Sequence, residues 1–174
     1  MLCYWCLTPG ESEYQILVEP GRSLVASTAG LVCRVLGTKL TGSKRFAIID
    51  GSMTELVRPA LYQARHHVVP CEEAGPDLLQ YDLVGPVCES ADCLATAVHL
   101  PALCTGQLGT DKQQISDHFV GDLLVILDTG AYGACMASNY NMRSRPAELL
   151  VEGDTMVTVA DKEDLDQLLS RFKM

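Results

Sequence analysis

Three short groups of residues carry side chains able to do chemistry. Glu19-Pro20-Gly21-Arg22 sets a carboxylate and a guanidinium around a turn, directly after the apolar run Ile16-Leu17-Val18. That run reads as a buried strand, and loops at the carboxyl ends of strands commonly carry ligand groups. Cys88-Glu89 joins a thiol to a carboxylate at the end of a second apolar run, with Ser90 and Asp92 close behind. Gly130-Ala131-Tyr132-Gly133 sets one phenol among residues small enough for a ligand or a second backbone to come close. Taken singly, each group has a plain structural explanation. Glu19 and Arg22 could be a local ion pair, Cys88 a buried thiol and Tyr132 a surface plug.

The elements that must position these groups are short. Leu31 to Leu36 fits a strand or a helix by pattern alone. Phe46-Ala47-Ile48-Ile49 reads as a strand closed by Asp50-Gly51, and His67-Val68-Val69-Pro70 as the next. Tyr81 to Val87 and Asp122 to Leu127 are further strands, and Leu149 to Glu152 and Met156 to Val159 flank a turn at Gly153-Asp154. Lys162 to Phe172 places Leu165, Leu168, Leu169 and Phe172 at helical spacing, with Asp161 as the expected N-cap. Many strands, turn signals between them and one closing helix predict a mainly β fold, a small barrel or sandwich.

Composition narrows the function classes. The 174 residues are 48% hydrophobic and 20% charged, which excludes a disordered tail, a collagen-like fibre and a coiled coil. The formal charge of −9 does not suit phosphate backbones or anionic lipid, so nucleic acid and membrane are not expected partners. No apolar run reaches the roughly 18 to 20 residues that span a bilayer, and Met1 to Leu7 lacks the basic start of a signal peptide. The eight cysteines therefore read as reduced thiols. Cys3-Tyr4-Trp5-Cys6 has no second pair to complete a zinc site. Cys33, Cys71, Cys93, Cys104 and Cys135 are expected to pack as small apolar groups. His66-His67 is expected to be structural, because adjacent side chains on a strand point to opposite faces.

Taken together, the groups carry a resemblance. Glu19-Pro20-Gly21-Arg22-Ser23, Arg58-Pro59-Ala60-Leu61-Tyr62, Gly85 to Asp92 (GPVCESAD), Gly130-Ala131-Tyr132-Gly133 and Met136 to Asn141 followed by Arg145-Pro146-Ala147-Glu148 occur in one order. In that order and at like spacing they resemble the C-terminal half of diaminopimelate decarboxylase, a pyridoxal 5'-phosphate (PLP) enzyme of the alanine-racemase-like fold group. The family architecture is a (β/α)8 barrel carrying PLP, followed by a β-barrel domain. The resemblance implies that residues 1–28 are a remnant of the first domain plus an unmatched N-terminus, and that residues 29–174 are the β-barrel domain.

The same resemblance implies roles. Arg22, Arg58 and Tyr62 would bind substrate carboxylate, where a guanidinium forms a two-pronged hydrogen bond that lysine cannot reproduce. Glu89 would pair with the distal ammonium of meso-diaminopimelate. Glu19, Gly21, Arg22 and Tyr132 would contact the cofactor, with Tyr132 also touching substrate. Cys88 would return a proton to the carbon that has lost CO2. Family members are homodimers with shared sites, so the Cys88-Glu89 pair of one subunit would complete the site of the other. Ornithine-type decarboxylases resemble the chain at Glu19 to Arg22 and around Tyr132 but lack the Arg58 to Tyr62 run. That run favours a substrate with a second carboxylate.

PLP chemistry needs a Schiff-base lysine, which the family carries early in its barrel. Lys39, Lys44, Lys112, Lys162 and Lys173 match no family motif for that role. The expectation is that these 174 residues alone bind PLP poorly and do not decarboxylate. The alternatives are a non-catalytic dimerising or regulatory relative, or a decarboxylase for another basic amino acid. The expected compartment is the cytoplasm, or a plastid in a plant or alga.

Overall fold

Alternating apolar side chains build the core of the protein, which is described by a computed structural model over residues 18–72, 76–103 and 121–172. A short helix, α1 (Arg22–Val25), runs into a 3₁₀ turn at Ala26–Thr28. Then follow β1 (Leu31–Thr41), β2 (Lys44–Ile49), α2 (Arg58–Tyr62), β3 (Val68–Pro70), β4 (Leu78–Val84), β5 (Cys93–Pro101) and β6 (Leu123–Ile126). The strands form one six-stranded sheet in the order β3-β6-β1-β2-β4-β5, whose two edge strands approach each other so that it nearly closes as a barrel. All its pairings are antiparallel except β2 with β4, which sets Phe46 against Asp82 and Ile48 against Val84.

Every second residue of these strands points inward, as the pleat requires. Cys33 and Val35 of β1, Ala47 and Ile49 of β2, Tyr81 and Leu83 of β4, Leu94 and Leu100 of β5, and Leu124 and Ile126 of β6 meet Leu56 in one core. A separate hairpin of β7 (Glu148–Glu152) and β8 (Thr155–Ala160) follows, and the last helix is α3 (Leu165–Leu169).

The mainly β expectation holds, and several local expectations are corrected. Leu31 to Leu36 is strand, and β1 continues to Thr41. The strand expected over Tyr81 to Val87 starts at Leu78 and stops at Val84, where Pro86 removes a ladder donor and Val87 N–H turns to the Asp92 carboxylate. The terminal helix is shorter than its apolar spacing suggests. Asp164, not Asp161, caps it by accepting from Asp166 N–H, while Glu163 is drawn away to Arg145 N–H. Helices α1 and α2 and strand β5 were not among the expected elements. In β5 the alternation is broken at Ala97, which has φ 54° and gives its N–H to Asp82. Of the run Ile16 to Val18, only Val18 lies within the described residues, and it is exposed coil. Cys33 is buried as expected, whereas Cys71 and Cys135 are exposed rather than packed; Cys3, Cys6 and Cys104 lie outside the described residues.

Candidate active site on the Tyr132 turn

The chain leaves β6 into a turn whose backbone is unusual. Asp128 and Tyr132 both have left-handed φ, 60° and 63°. For an aromatic residue this conformation costs about 1–2 kcal/mol, and such positions cluster where function demands a fixed side chain. The turn is held from below: Thr129 N–H donates to Ala29 O and Gly130 N–H to Ala26 O, both at 3.0 Å. Gly130 is required for this approach, because a Cβ there would stand 2.0 Å from Val25 O. The segment carrying α1 is therefore seated directly against the turn, and Tyr132 remains 44% exposed above it.

Two guanidinium groups meet on that ring. The Arg22 guanidinium carbon lies 5.6 Å from the Tyr132 ring centroid, and that of Arg58 lies 5.5 Å from it. Arg58 also lies 5.9 Å from the ring of Tyr62, one turn along α2. Each contact is within cation–π range. Among the described residues neither guanidinium is paired with a carboxylate; the ion pairs there are Lys44–Asp82 and Arg143–Glu55. The expected Glu19–Arg22 ion pair is thus not formed. Among the described residues nothing lies within 4 Å of where a Cβ on Gly21 would stand, which leaves its backbone open to a guest on that side. Two unpaired, fork-shaped cations on an exposed phenol suit anions such as carboxylate or phosphate.

Cys88 and Glu89 lie on the turn between β4 and β5. Cys88 is exposed, and Glu89 is half-buried with Oε1 accepting from Ala91 N–H at 3.1 Å and Ser90 Oγ at 3.3 Å. Their turn is fixed by buried Asp92, whose carboxylate accepts from Val87 N–H at 2.9 Å and from Met53 N–H at 2.7 Å. Gly85 permits this, since a Cβ on it would stand 2.3 Å from Asp92 Oδ2. Among the described residues no recorded bond, ion pair or ring contact joins Cys88 or Glu89 to the Arg22–Tyr132–Arg58 stack.

Sequence reasoning missed the support beneath these groups. Ser52, Thr54 and Glu55 are buried in the turn before α2. Glu55 Oε2 accepts from Ser52 N–H and Ser52 Oγ, both at 2.8 Å, and Oε1 accepts from Thr54 Oγ1 at 2.7 Å. Arg143 reaches in with Nε 3.5 Å from Glu55 Oε1 and 3.2 Å from Thr54 Oγ1, and donates from a terminal nitrogen to Asp50 O at 2.7 Å. The spacing Ser52-Met53-Thr54-Glu55 is a capping-box signature and was the available signal. The run Met136 to Asn141 bonds to this turn through Ser138 N–H to Thr54 O at 2.9 Å. His66 and His67 precede β3 rather than lying in a strand, and His66 Nδ1 lies 2.9 Å from Leu127 O. Among the described residues no cluster of potential metal ligands occurs, and no helix is long and apolar enough to cross a membrane.

The family model described as pyridoxal-dependent decarboxylase, C-terminal sheet domain, matches residues 23–130. A diaminopimelate decarboxylase from Vibrio cholerae is 40% identical over 156 residues, covering 90% of this chain and 34% of that protein. The crystal structure of diaminopimelate decarboxylase from M. jannaschii superposes with a TM-score of 0.77 at 31% identity, covering 90% of this chain and 32% of that one. The Helicobacter pylori enzyme, crystallised as a complex with L-lysine, superposes at 0.74 and 37% identity, covering 88% and 34%. The chain spans about a third of the length of the relatives it matches.

Proposed function

The chain belongs to the pyridoxal-dependent decarboxylases, through their C-terminal sheet domain, and from that premise we propose that it serves the conversion of meso-2,6-diaminopimelate to L-lysine and CO2. The observation that carries the reading is the meeting of two guanidinium groups on Tyr132, neither paired with a carboxylate among the described residues. A substrate with one carboxylate to hold and one to lose has use for a second arginine only if it carries a second acid group. Arg58 with Tyr62 binds the distal carboxylate, and Glu89 the distal ammonium. The Helicobacter pylori relative, crystallised with L-lysine, supports the product assignment.

The residues present fit PLP. An anionic aromatic group suits the Gly21 backbone, the Arg22 cation and the exposed Tyr132 phenol, with Glu19 two residues before Gly21 proposed to contact it as well. Bound PLP supplies the sink for the electron pair left when the carbon–carboxylate bond breaks. Arg22 and Arg58 orient the substrate, which lowers the entropic part of the barrier. Cys88 Sγ–H then gives its proton to the carbon that lost CO2, and the thiolate regains one from solvent. In this reading the lysine that anchors the cofactor belongs to a (β/α)8 barrel, with residues 1–28 at its junction and 29–174 as the sheet domain.

Cys88 and Glu89 serve a second copy. Glu89 bonds within its own turn, and among the described residues no recorded bond joins it or Cys88 to Arg22, Arg58 or Tyr132, which favours a homodimer with shared sites. The reaction belongs to the cytoplasm, or to a plastid in a plant or alga. The test joins this chain to the lysine-bearing barrel of a relative and measures CO2 and L-lysine from meso-diaminopimelate. Release of both, in preference to release from ornithine or arginine, supports the reading. A folded, PLP-loaded protein without turnover overturns it in favour of a non-catalytic relative.

A further inference from the structure

We infer that Glu55 and Arg143 are positioning residues that hold Arg58 over the Tyr132 ring. The inference rests on the reading of Arg58 and Tyr132 as substrate-binding groups. Helix α2 has five residues, too few to hold its own shape in water. Arg58 is its first residue, so its direction is set by the turn that precedes it. That turn is tied together by the Glu55 carboxylate through Ser52 and Thr54, and Leu56 N–H closes it on Ser52 O at 3.1 Å. Arg143 binds the same turn at Thr54 and Asp50, and Ser138 N–H binds it at Thr54 O. Arg143 and Ser138 both lie on the segment that follows Tyr132. One hydrogen-bonded unit, buried at Ser52, Thr54 and Glu55, therefore joins the turn before Arg58 to Ser138 and Arg143 on the segment that follows Tyr132.

A buried ion pair adds little net stability over apolar residues of the same volume. Its directional bonds do fix geometry. Arg22 reaches the same ring by another route, through the seat at Gly130, and so serves as an internal control.

The experiment records the side-chain Nε–H resonances of Arg22 and Arg58 by NMR in the 174-residue chain, without substrate or cofactor. Protons close to an aromatic ring are displaced by its ring current. Tyr132→Leu marks the undisplaced positions. Glu55→Gln and Arg143→Met are expected to move the Arg58 resonance to its undisplaced position while Arg22 keeps its displacement. Arg143 lies at the edge of the unit with its side chain 31% exposed, so its variant decides the matter if Glu55→Gln does not fold. A folded variant with the Arg58 resonance unmoved overturns the inference, as does failure of both variants to fold, which would assign the unit to stability alone. Failure of the decarboxylase reading would leave these resonances unaffected.

Discussion

Arg58 holds its guanidinium carbon 5.5 Å from the centroid of the Tyr132 ring, 74 residues further along the chain. The contact joins the first residue of α2 to the strained turn after β6. It leaves the fork of nitrogens on Arg58 free of any carboxylate among the described residues.

The first prediction concerns that fork. In the protein joined to its barrel, Arg58→Lys keeps the charge and loses the planar, two-pronged donor. A charge-assisted hydrogen bond contributes about 1.5–3 kcal/mol. KM for meso-diaminopimelate is therefore expected to rise about 10- to 100-fold, at about 1.4 kcal/mol per decade, with a smaller change in kcat. Steady-state kinetics on Arg58→Lys and wild type check this.

A second prediction concerns the seat of α1. Gly130→Ala drives a methyl group into Val25 O, and the hydrogen bonds from Thr129 and Gly130 to Ala29 and Ala26 must lengthen. Overpacking of this kind costs about 1–3 kcal/mol. Urea unfolding is expected to show that loss, and the Arg22 side-chain resonance is expected to lose its ring-current displacement while Arg58 retains most of its own.

The cysteines are expected to react unequally. Burial pushes the Cys33 thiol up to about 12, with Asp50 and Glu55 adding to the effect, and burial also raises Cys93. Only the thiolate is nucleophilic, so a raised pKa slows alkylation. Cys71, Cys88 and Cys135 are exposed. At pH 8, peptide-resolved mass spectrometry is expected to show iodoacetamide on Cys71, Cys88 and Cys135 well before Cys93, and on Cys33 last. Cys33 labelling as fast as Cys88 in the folded chain would contradict the described burial.

Acid stability provides a fourth prediction. The Asp82 carboxyl lies below its ordinary value of 3.8, chiefly because Ala97 N–H donates to it, with Lys44 adding a hydrogen bond and charge. A depressed folded-state pKa contributes stability that is full above the unfolded value and is lost as pH falls through the folded one. The contribution is therefore present above about 3.8 and disappears below it. Asp82→Asn is expected to flatten the dependence of unfolding free energy on pH below that point and leave it unchanged near neutrality. Chemical denaturation at a series of pH values measures this. Lys44→Met is expected to matter less, about 0–1 kcal/mol, because the lysine is largely exposed.

Much of the fold and part of the site were legible without coordinates. Short apolar runs bounded by turn residues marked β2, β6 and the β7–β8 hairpin, because a break in the run at Gly, Asp or Pro ends a strand. The groups around Arg22, Arg58, Cys88 and Tyr132 could be singled out by residue type and order, since local chemistry is written in local sequence. The extents of β4 and α3 were misjudged because Asp92 and Glu163 take backbone donors from residues distant in the chain or outside the apolar pattern.

Only the tertiary structure decided which of the singled-out residues meet. Arg22, Arg58 and Tyr132 converge because the order β3-β6-β1-β2 brings three separate connections to one end of the sheet and because Gly130 admits the Val25 carbonyl. Glu55 and Arg143 depend on the same closure, with Arg143 bonding Thr54 across 89 residues of chain. Residue type sets what a side chain can bond. Which distant partner it reaches follows from sheet register and close packing, and these belong to the folded chain as a whole.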